Sequence, residues 1–251
     1  MPKELLERTA DWAERFLAEY GNYAAEETLE QTRWEGKRRT EVKRQIVSDY
    51  FVVRLPETQR EWQEFRDVLS VDGKEKLSDP ARGAKWPKLS AAATRGEIVA
   101  LVEDPLKYRL SPERFSNLGL LVSRLAERHR DKMRYFFAQD TSDMTSKHAL
   151  VGYRQVAGAG LMEVEGKPVY PAGQAWVEPD DGHIVRIEEE FEHNRTRYSV
   201  AVDFAKSDEL GAWVPEGVTV RIFEKGRLVQ QNIYGYSNFR RFGPAATTAA
   251  P

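Results

Sequence analysis

No cysteine occurs among the 251 residues. That excludes a disulfide scaffold, a thiolate metal site and a cysteine nucleophile. Long apolar runs are missing too, and a membrane-spanning helix needs about 18 or more such residues. Charge of one sign is not in excess: 38 Lys and Arg stand against 40 Asp and Glu, a net charge of −2. A chain so balanced is not built around phosphate contacts, and no nucleic-acid partner is expected. There is no glycine-rich phosphate loop, no GxGxxG after a strand and no serine nucleophile elbow. Histidine is scarce, with His129, His148, His183 and His193 the four imidazoles. His183 and His193 lie on one extended stretch that rises about 3.3 Å per residue, so they cannot share an ion unless the chain folds back between them. No metal and no cofactor are expected.

Aromatic surface, by contrast, is plentiful: 6 Trp, 10 Tyr and 11 Phe. A chain with this much to bury offsets its ordering entropy and folds. Residues 2–20 carry Leu5, Leu6, Trp12, Ala13, Phe16, Leu17 and Tyr20 at helical spacing, closed by Gly21-Asn22. From Tyr23 the period becomes two. Residues 40–55 alternate on both faces, interrupted by Asp49, and end at Pro56. Phe65, Leu69 and Val71 make another strand, closed by Val71-Asp72-Gly73-Lys74. A proline-punctuated helical insert follows over about 77–132, with helices expected over 96–108 and 117–132. The remainder reads as strand, over 133–139, 147–156, 174–178, 183–192, 196–205, around Val218, Val220 and Ile222, and over 228–240. Pro179-Asp180-Asp181-Gly182, Asn194 and Glu224-Lys225-Gly226-Arg227 supply the turns. The small, polar tail 244–251 is expected to be disordered. The expected fold is therefore α+β: one domain over 1–243, an up-and-down antiparallel sheet that curls, with an N-terminal helix and a helical insert over one face.

Within this pattern three features invite a functional reading. Glu188-Glu189-Glu190 with Glu192 suggests acid/base or calcium chemistry, but alternation sends Glu188 and Glu190 to one face beside Arg195 and Arg197, as ordinary sheet surface does. Lys37-Arg38-Arg39 with Lys43 and Arg44 is the densest basic patch, and Glu35 and Glu41 interrupt it. Arg240 and Arg241 are similarly ambiguous. Trp34, Trp62, Trp86, Trp176 and Trp213, in or beside strand segments, with Tyr50, Tyr198, Tyr234 and Tyr236, form either a large sheet core or the walls of an apolar cavity.

The closing Tyr236-Ser237-Asn238-Phe239-Arg240-Arg241-Phe242, preceded by Trp213-Val214-Pro215, resembles the end of a little-characterised group of bacterial envelope proteins. Glu26-Glu27 and Gln31 after the first helix fit the same group. So do Asp49 with Phe51-Val52-Val53-Arg54-Leu55-Pro56, and Phe65-Arg66-Asp67-Val68 with Val71-Asp72-Gly73. Ala175-Trp176-Val177-Glu178-Pro179 with Gly182 and Arg186 resembles a hairpin of these folds. That group is in turn similar to the LolA/LolB lipoprotein carriers, and the likeness runs from about Leu5 to Phe242. It implies a strongly curved antiparallel half-barrel whose helices plug a concave face that shields acyl chains. Each CH₂ kept from water there is worth about 0.8 kcal/mol. Two departures stand out. No cysteine exists to carry a lipid anchor. Residues 1–7 are polar, with no basic segment, apolar stretch and cleavage site, which read literally means a cytoplasmic protein. The resemblance implies the periplasm or cell envelope for an exported precursor.

The reading that joins pattern and resemblance is a non-enzymatic envelope protein holding a lipid or lipoprotein acyl chain. Strand alternation nominates Trp176, Tyr198, Val200, Val202, Val220 and Ile222 as cavity lining. The alternative is an interaction or sensor module for an envelope protein, on the same fold with a filled core. An enzyme built from dispersed carboxylates and His148 is the weakest, because no nucleophile–base spacing is present.

Overall fold

A computed structural model of the chain describes residues 2–21, 23–36, 39–53, 63–92, 94–102, 105–111, 118–137, 147–156, 161–164 and 167–242. The expected disordered tail, the Arg54-Leu55-Pro56 strand end, Trp62, Lys37 and Arg38 lie outside these residues.

Helix α1 (Pro2–Tyr20) leads into β1 (Tyr23–Glu35), β2 (Thr40–Val53), β3 (Gln63–Val71) and β4 (Lys74–Glu75). Helices α2 (Asp79–Ala91), α3 (Arg95–Leu101) and α4 (Leu118–Ser123) follow. Then come β5 (Met133–Phe137), β6 (Ala149–Gln155), the small hairpin β7 (Glu163–Val164) and β8 (Lys167–Pro168), and β9 (Ala172–Val177). Strands β10 (Ile184–His193), β11 (Thr196–Ser207), β12 (Ala212–Glu224) and β13 (Arg227–Arg241) complete the chain. Eleven of the strands form one open sheet in the order β4-β3-β2-β1-β13-β12-β11-β10-β9-β6-β5. The fold class is the expected one, an antiparallel sheet with an N-terminal helix and short helices.

The order departs from a simple meander at one place, where the first strand pairs with the last. A simple meander would leave β1 and β13, of 13 and 15 residues, as edges. Their pairing instead leaves β4 and β5, of 2 and 5 residues, at the edges. Short edges are poor templates for aggregation. The helical insert is thus the link between the two edge strands.

Several elements are shorter than the sequence suggested. The helix expected over 96–108 ends at Leu101, with Val102 extended, and Pro105 opens a separate 3-10 turn. Proline lacks the donor that a continuing helix requires. The helix expected over 117–132 stops at Ser123, and a 3-10 turn covers Glu127–Lys132. The break falls at Arg124, whose carbonyl accepts from Tyr135 Oη at 2.6 Å. Trp86, grouped in the sequence with the tryptophans in or beside strand segments, sits in α2 within the helical insert. The turns are as expected: Asp72-Gly73 and Lys225-Gly226 both hold positive φ, as does Asn194 with Arg195.

The chain forms two compact units. The first comprises Met1–Ala18, Leu118–Ala205 and Trp213–Gln231, the second Glu19–Asn117, Lys206–Ala212 and Asn232–Pro251. In the second, Ala24, Phe51 and Phe65 share one sheet face and pack with Leu89, Ile98 and Phe242. Asp49, which interrupts that face in the sequence, is buried there and bonded by Arg82 and Arg240. In the first unit, Trp12 stacks on Phe16 and both meet Phe204 edge-on, at 5.9 and 5.5 Å between centroids. Helix α1 is fastened further by Arg8 donating to the Pro179 carbonyl at 2.9 Å. Gly182 makes this approach possible: its φ is +76°, and a Cβ there would lie 2.5 Å from the Arg8 carbonyl carbon.

Gly182→Ala is therefore expected to lower unfolding stability by about 2–4 kcal/mol, the left-handed penalty plus overpacking. Gly226→Ala, at the same φ of +76° but in open space, is expected to cost about 1–2 kcal/mol. Equal losses in denaturant titrations would rule out close helix docking as the reason for glycine at 182.

Candidate functional site

Strand register in the first unit sorts the nominated residues. One row across the sheet reads Tyr135, Tyr153, Gly173, Glu189, Val200, and the next Phe137, Val151, Ala175, Ile187, Val202. Val200 and Val202 are buried on this face, and Tyr198 is half-buried and stacked on Phe191 at 4.9 Å. Val220 and Ile222 are also buried. Their neighbour Phe223 lies under the Arg197 guanidinium at 3.9 Å, on the opposite face, so alternation turns Val220 and Ile222 toward the apolar side. Five of the six nominated residues thus share one face. Trp176 does not. It lies directly across from Arg186, which lies across from Asp203, and the guanidinium sits 5.8 Å from the indole centroid.

The apolar face carries a buried ion pair. Arg124 Nε donates to Glu189 Oε2 at 2.7 Å, Nη2 to Oε1 at 3.3 Å, and Tyr153 Oη to Oε2 at 3.2 Å. Burial opposes the Arg124 charge, but the Glu189 carboxylate outweighs it and holds this pKa above the ordinary value. Gly173 leaves room for the tyrosine: a Cβ there would fall 2.6 Å from Tyr153 Oη and 2.4 Å from the Glu188 carbonyl. Two polar groups at this end of the face have no hydrogen-bond partner among the described residues: Arg124 Nη1 and the whole side-chain amide of Gln155. Gln155 is two positions along β6 from Tyr153 and opposite the buried Met133. Elsewhere in this unit, a groove of about 380 Å³ is lined by Pro168, Val169, Tyr170, Glu190, Phe191, Glu192 and Arg197.

Sequence reasoning missed this cluster in part. Alternation placed Glu189 apart from Glu188 and Glu190, and those two do meet Arg186 and Arg197 on the outer face. Nothing in the local sequence announced that Arg124, 65 residues away, is the partner of Glu189.

The second unit holds its own polar cluster. Arg66 forks onto Glu27 through Nε and Nη2, each at 2.7 Å, and lies 4.9 Å from the Tyr50 ring centroid. Tyr20 Oη donates to Glu64 at 2.7 Å and meets Tyr50 Oη at 2.5 Å. Gln31 joins Asn232 at 3.1 Å and accepts from the Leu110 amide. Three of the nominated basic residues are individually engaged. Arg44 donates to the Tyr108 carbonyl, Lys43 meets Glu41, and Arg240 stacks on Trp86 at 4.2 Å.

The histidines are dispersed. His148 lies 3.8 Å from Glu178, His183 bonds Asp181 and stacks on Trp213, and His193 meets Asn194. Among the described residues no group of three His, Asp or Glu could hold a metal ion, and no helix is long and apolar enough to cross a membrane.

No family model and no curated protein matches the chain. Solved structures do. The chain is similar to a LolA superfamily protein from Nitrosomonas europaea, at 12% identity over 99% of this chain and 97% of that one, with a TM-score of 0.40. It is similar to an outer membrane lipoprotein-sorting protein domain from Vibrio parahaemolyticus, at 10% identity over 98% and 95%, with a TM-score of 0.36. A DUF1329 family protein from Desulfovibrio piger gives 14% identity over 98% and 95%, with a TM-score of 0.41.

Two predictions follow from the buried polar clusters. Glu189→Gln alone is expected to destabilise by about 3–5 kcal/mol, because it strands a buried cation, whereas Arg124→Met with Glu189→Leu recovers most of that loss. Chemical denaturation of the three proteins checks this, and a double variant as unstable as the single would sink it. Second, burial raises the pKa of Tyr20, Tyr50, Tyr153 and Tyr236 well above the usual value. Their folded-state values exceed the unfolded value of about 10, so their contribution is complete below that pH and is lost as pH rises through the folded values. In an alkaline titration, tyrosinate absorbance from these four is expected to appear together with loss of near-ultraviolet circular dichroism. Ten tyrosines titrating near pH 10 in an intact fold would contradict it.

Proposed function

We propose that the protein is a non-enzymatic binding protein of the bacterial cell envelope that holds an amphiphile, such as a lipid or lipoprotein acyl chain, on the apolar face of the first unit. The observation that carries this reading is the combination on one face. Val200, Val202, Val220 and Ile222 supply a buried aliphatic surface. At its end stand Arg124 Nη1 and the Gln155 amide, buried and without a hydrogen-bond partner among the described residues. A buried polar group left unmatched costs about 1–3 kcal/mol, so such groups call for a reason. An amide at the head of an acyl chain matches them: its carbonyl accepts from Arg124 Nη1 and Gln155 Nε2, and its N–H donates to Gln155 Oε1. The site has the usual composition of a small-molecule site, mostly apolar with a few placed polar groups.

The cover over this face is of a kind that an acyl chain can replace. Helix α1 meets Phe204 through Trp12 and Phe16, and its ion pair from Glu14 to Arg128 is partly exposed. A surface ion pair contributes about 0–1 kcal/mol. Most of the hold is then apolar contact, and exchanging one apolar cover for another is nearly neutral in free energy.

Native mass spectrometry on protein purified without detergent tests the reading. The expected result is an added mass that organic extraction removes. Gln155→Leu is expected to stabilise the stripped protein while weakening retention of that mass. A clean mass, with no uptake after incubation with phospholipid or lipopeptide, would assign the face to a filled core and the protein to an interaction or sensor role.

A further inference from the structure

The opposite face of the same sheet carries a second feature, at the β5 edge. Arg134 and Arg154 stand directly across from one another and both are exposed. Like charges in that position are destabilising. Three carboxylates of this face are engaged elsewhere, Glu188 and Asp203 by Arg186 and Glu190 by Arg197, and the exposed Glu192 stands across from Arg197. The residue across from Arg154 on the next strand is Ala172. Neither Arg134 nor Arg154 has an ionic partner among the described residues. One row along, Phe136 lies across from Gly152 and is 53% exposed. A Cβ on Gly152 would fall 2.0 Å from the Phe136 ring, so glycine lets the ring lie on the sheet beside the two arginines. Tyr170, 46% exposed, precedes β9 and lines the groove that Glu190 and Arg197 also line.

We infer that Arg134, Arg154 and Phe136 form a docking surface for an anionic phospholipid bilayer. The chemistry fits on three counts. Two adjacent guanidiniums without protein anions are relieved of their mutual repulsion by lipid phosphates. The exposed ring sits at the same level, where aromatic side chains partition into the boundary between headgroups and acyl chains. Long arginine stems keep the charge among the phosphates while the sheet lies flat. An acidic polypeptide adding to β5 is the less suitable occupant. It would read the strand edge and both faces, whereas the other-face residues Met133 and Tyr135 are committed inward, the latter bonded to Arg124. This surface is on the face opposite the apolar site and does not rest on the ligand reading.

Cosedimentation of the full chain with phosphatidylglycerol/phosphatidylcholine vesicles tests the inference, with phosphatidylcholine vesicles alongside. Each cation near an anionic surface contributes about 1 kcal/mol, about fivefold in affinity. Arg134→Thr or Arg154→Thr is expected to weaken binding to the anionic vesicles about fivefold, and the pair about 25-fold. High salt is expected to act in the same direction, and Phe136→Ser to weaken binding further. The same arginine variants are expected to melt no lower than the parent, since they remove a like-charge contact, so lost binding is not lost folding. Wild-type protein that fails to sediment with anionic vesicles, or a double variant that sediments as well as wild type, overturns the inference. Capture of an acidic peptide without vesicle binding does so too, in favour of a protein partner.

Discussion

The pairing of β1 with β13 is the constraint from which the rest of the architecture follows. It brings the beginning and end of the chain together inside the sheet and sends the short strands β4 and β5 to its margins. The helical insert is the segment of chain that connects these two strands. Within the second unit the same pairing places Phe242 against Phe51 and Trp86, and Arg240 over Asp49. Arg240 and Phe242 therefore complete a core begun by the first strands. Contacts of such sequence separation carry a high closure cost before they contribute, so the fold belongs among slow-forming β topologies.

Each unit uses a buried arginine to secure its interior. Arg66 on Glu27 and Arg124 on Glu189 are both forked pairs, and both are ringed by tyrosines. Such pairs add little net stability, because desolvation consumes most of the Coulomb gain. What they do supply is directional: a carboxylate on one strand row accepts one geometry of guanidinium and no other. A one-residue slip of β10 would carry Glu189 to solvent and strand Arg124, so the pair fixes register where an aliphatic face alone is permissive.

The sheet of the first unit divides its labour by face. The apolar side gathers Val200, Val202, Val220 and Ile222 under α1 and ends in unmatched polar groups, the arrangement expected of a host for an amphiphile. The outer side is a mosaic of ion pairs, with an arginine pair and a projecting phenylalanine left over at one margin. A protein that held a lipid on one face and rested on a lipid surface with the other would keep cargo and membrane within one thin layer of structure. The two faces follow from the alternation of a single strand set.

How much was legible in the sequence depended on range. Alternation along residues 40–53, 184–193 and 196–207, the Asp72-Gly73 and Lys225-Gly226 turns, and the α1 stripe were readable because each is governed by neighbours within a few positions. The grouping of Tyr198, Val200, Val202, Val220 and Ile222 on one face was likewise a matter of period. Trp176 was misplaced with them because its face depends on pairing with Arg186, a partner that its own strand does not specify. The early stop at Ser123 was illegible for a similar reason, since Arg124 is drawn out of helix by Glu189 and Tyr135. By itself the sequence determined the elements, their turns and their apolar faces, since these rest on backbone sterics and side-chain period. Only the tertiary structure decided which strands are neighbours, that Glu189 is an interior anchor, and that Arg134 faces Arg154, because those contacts join residues whose proximity no local preference encodes.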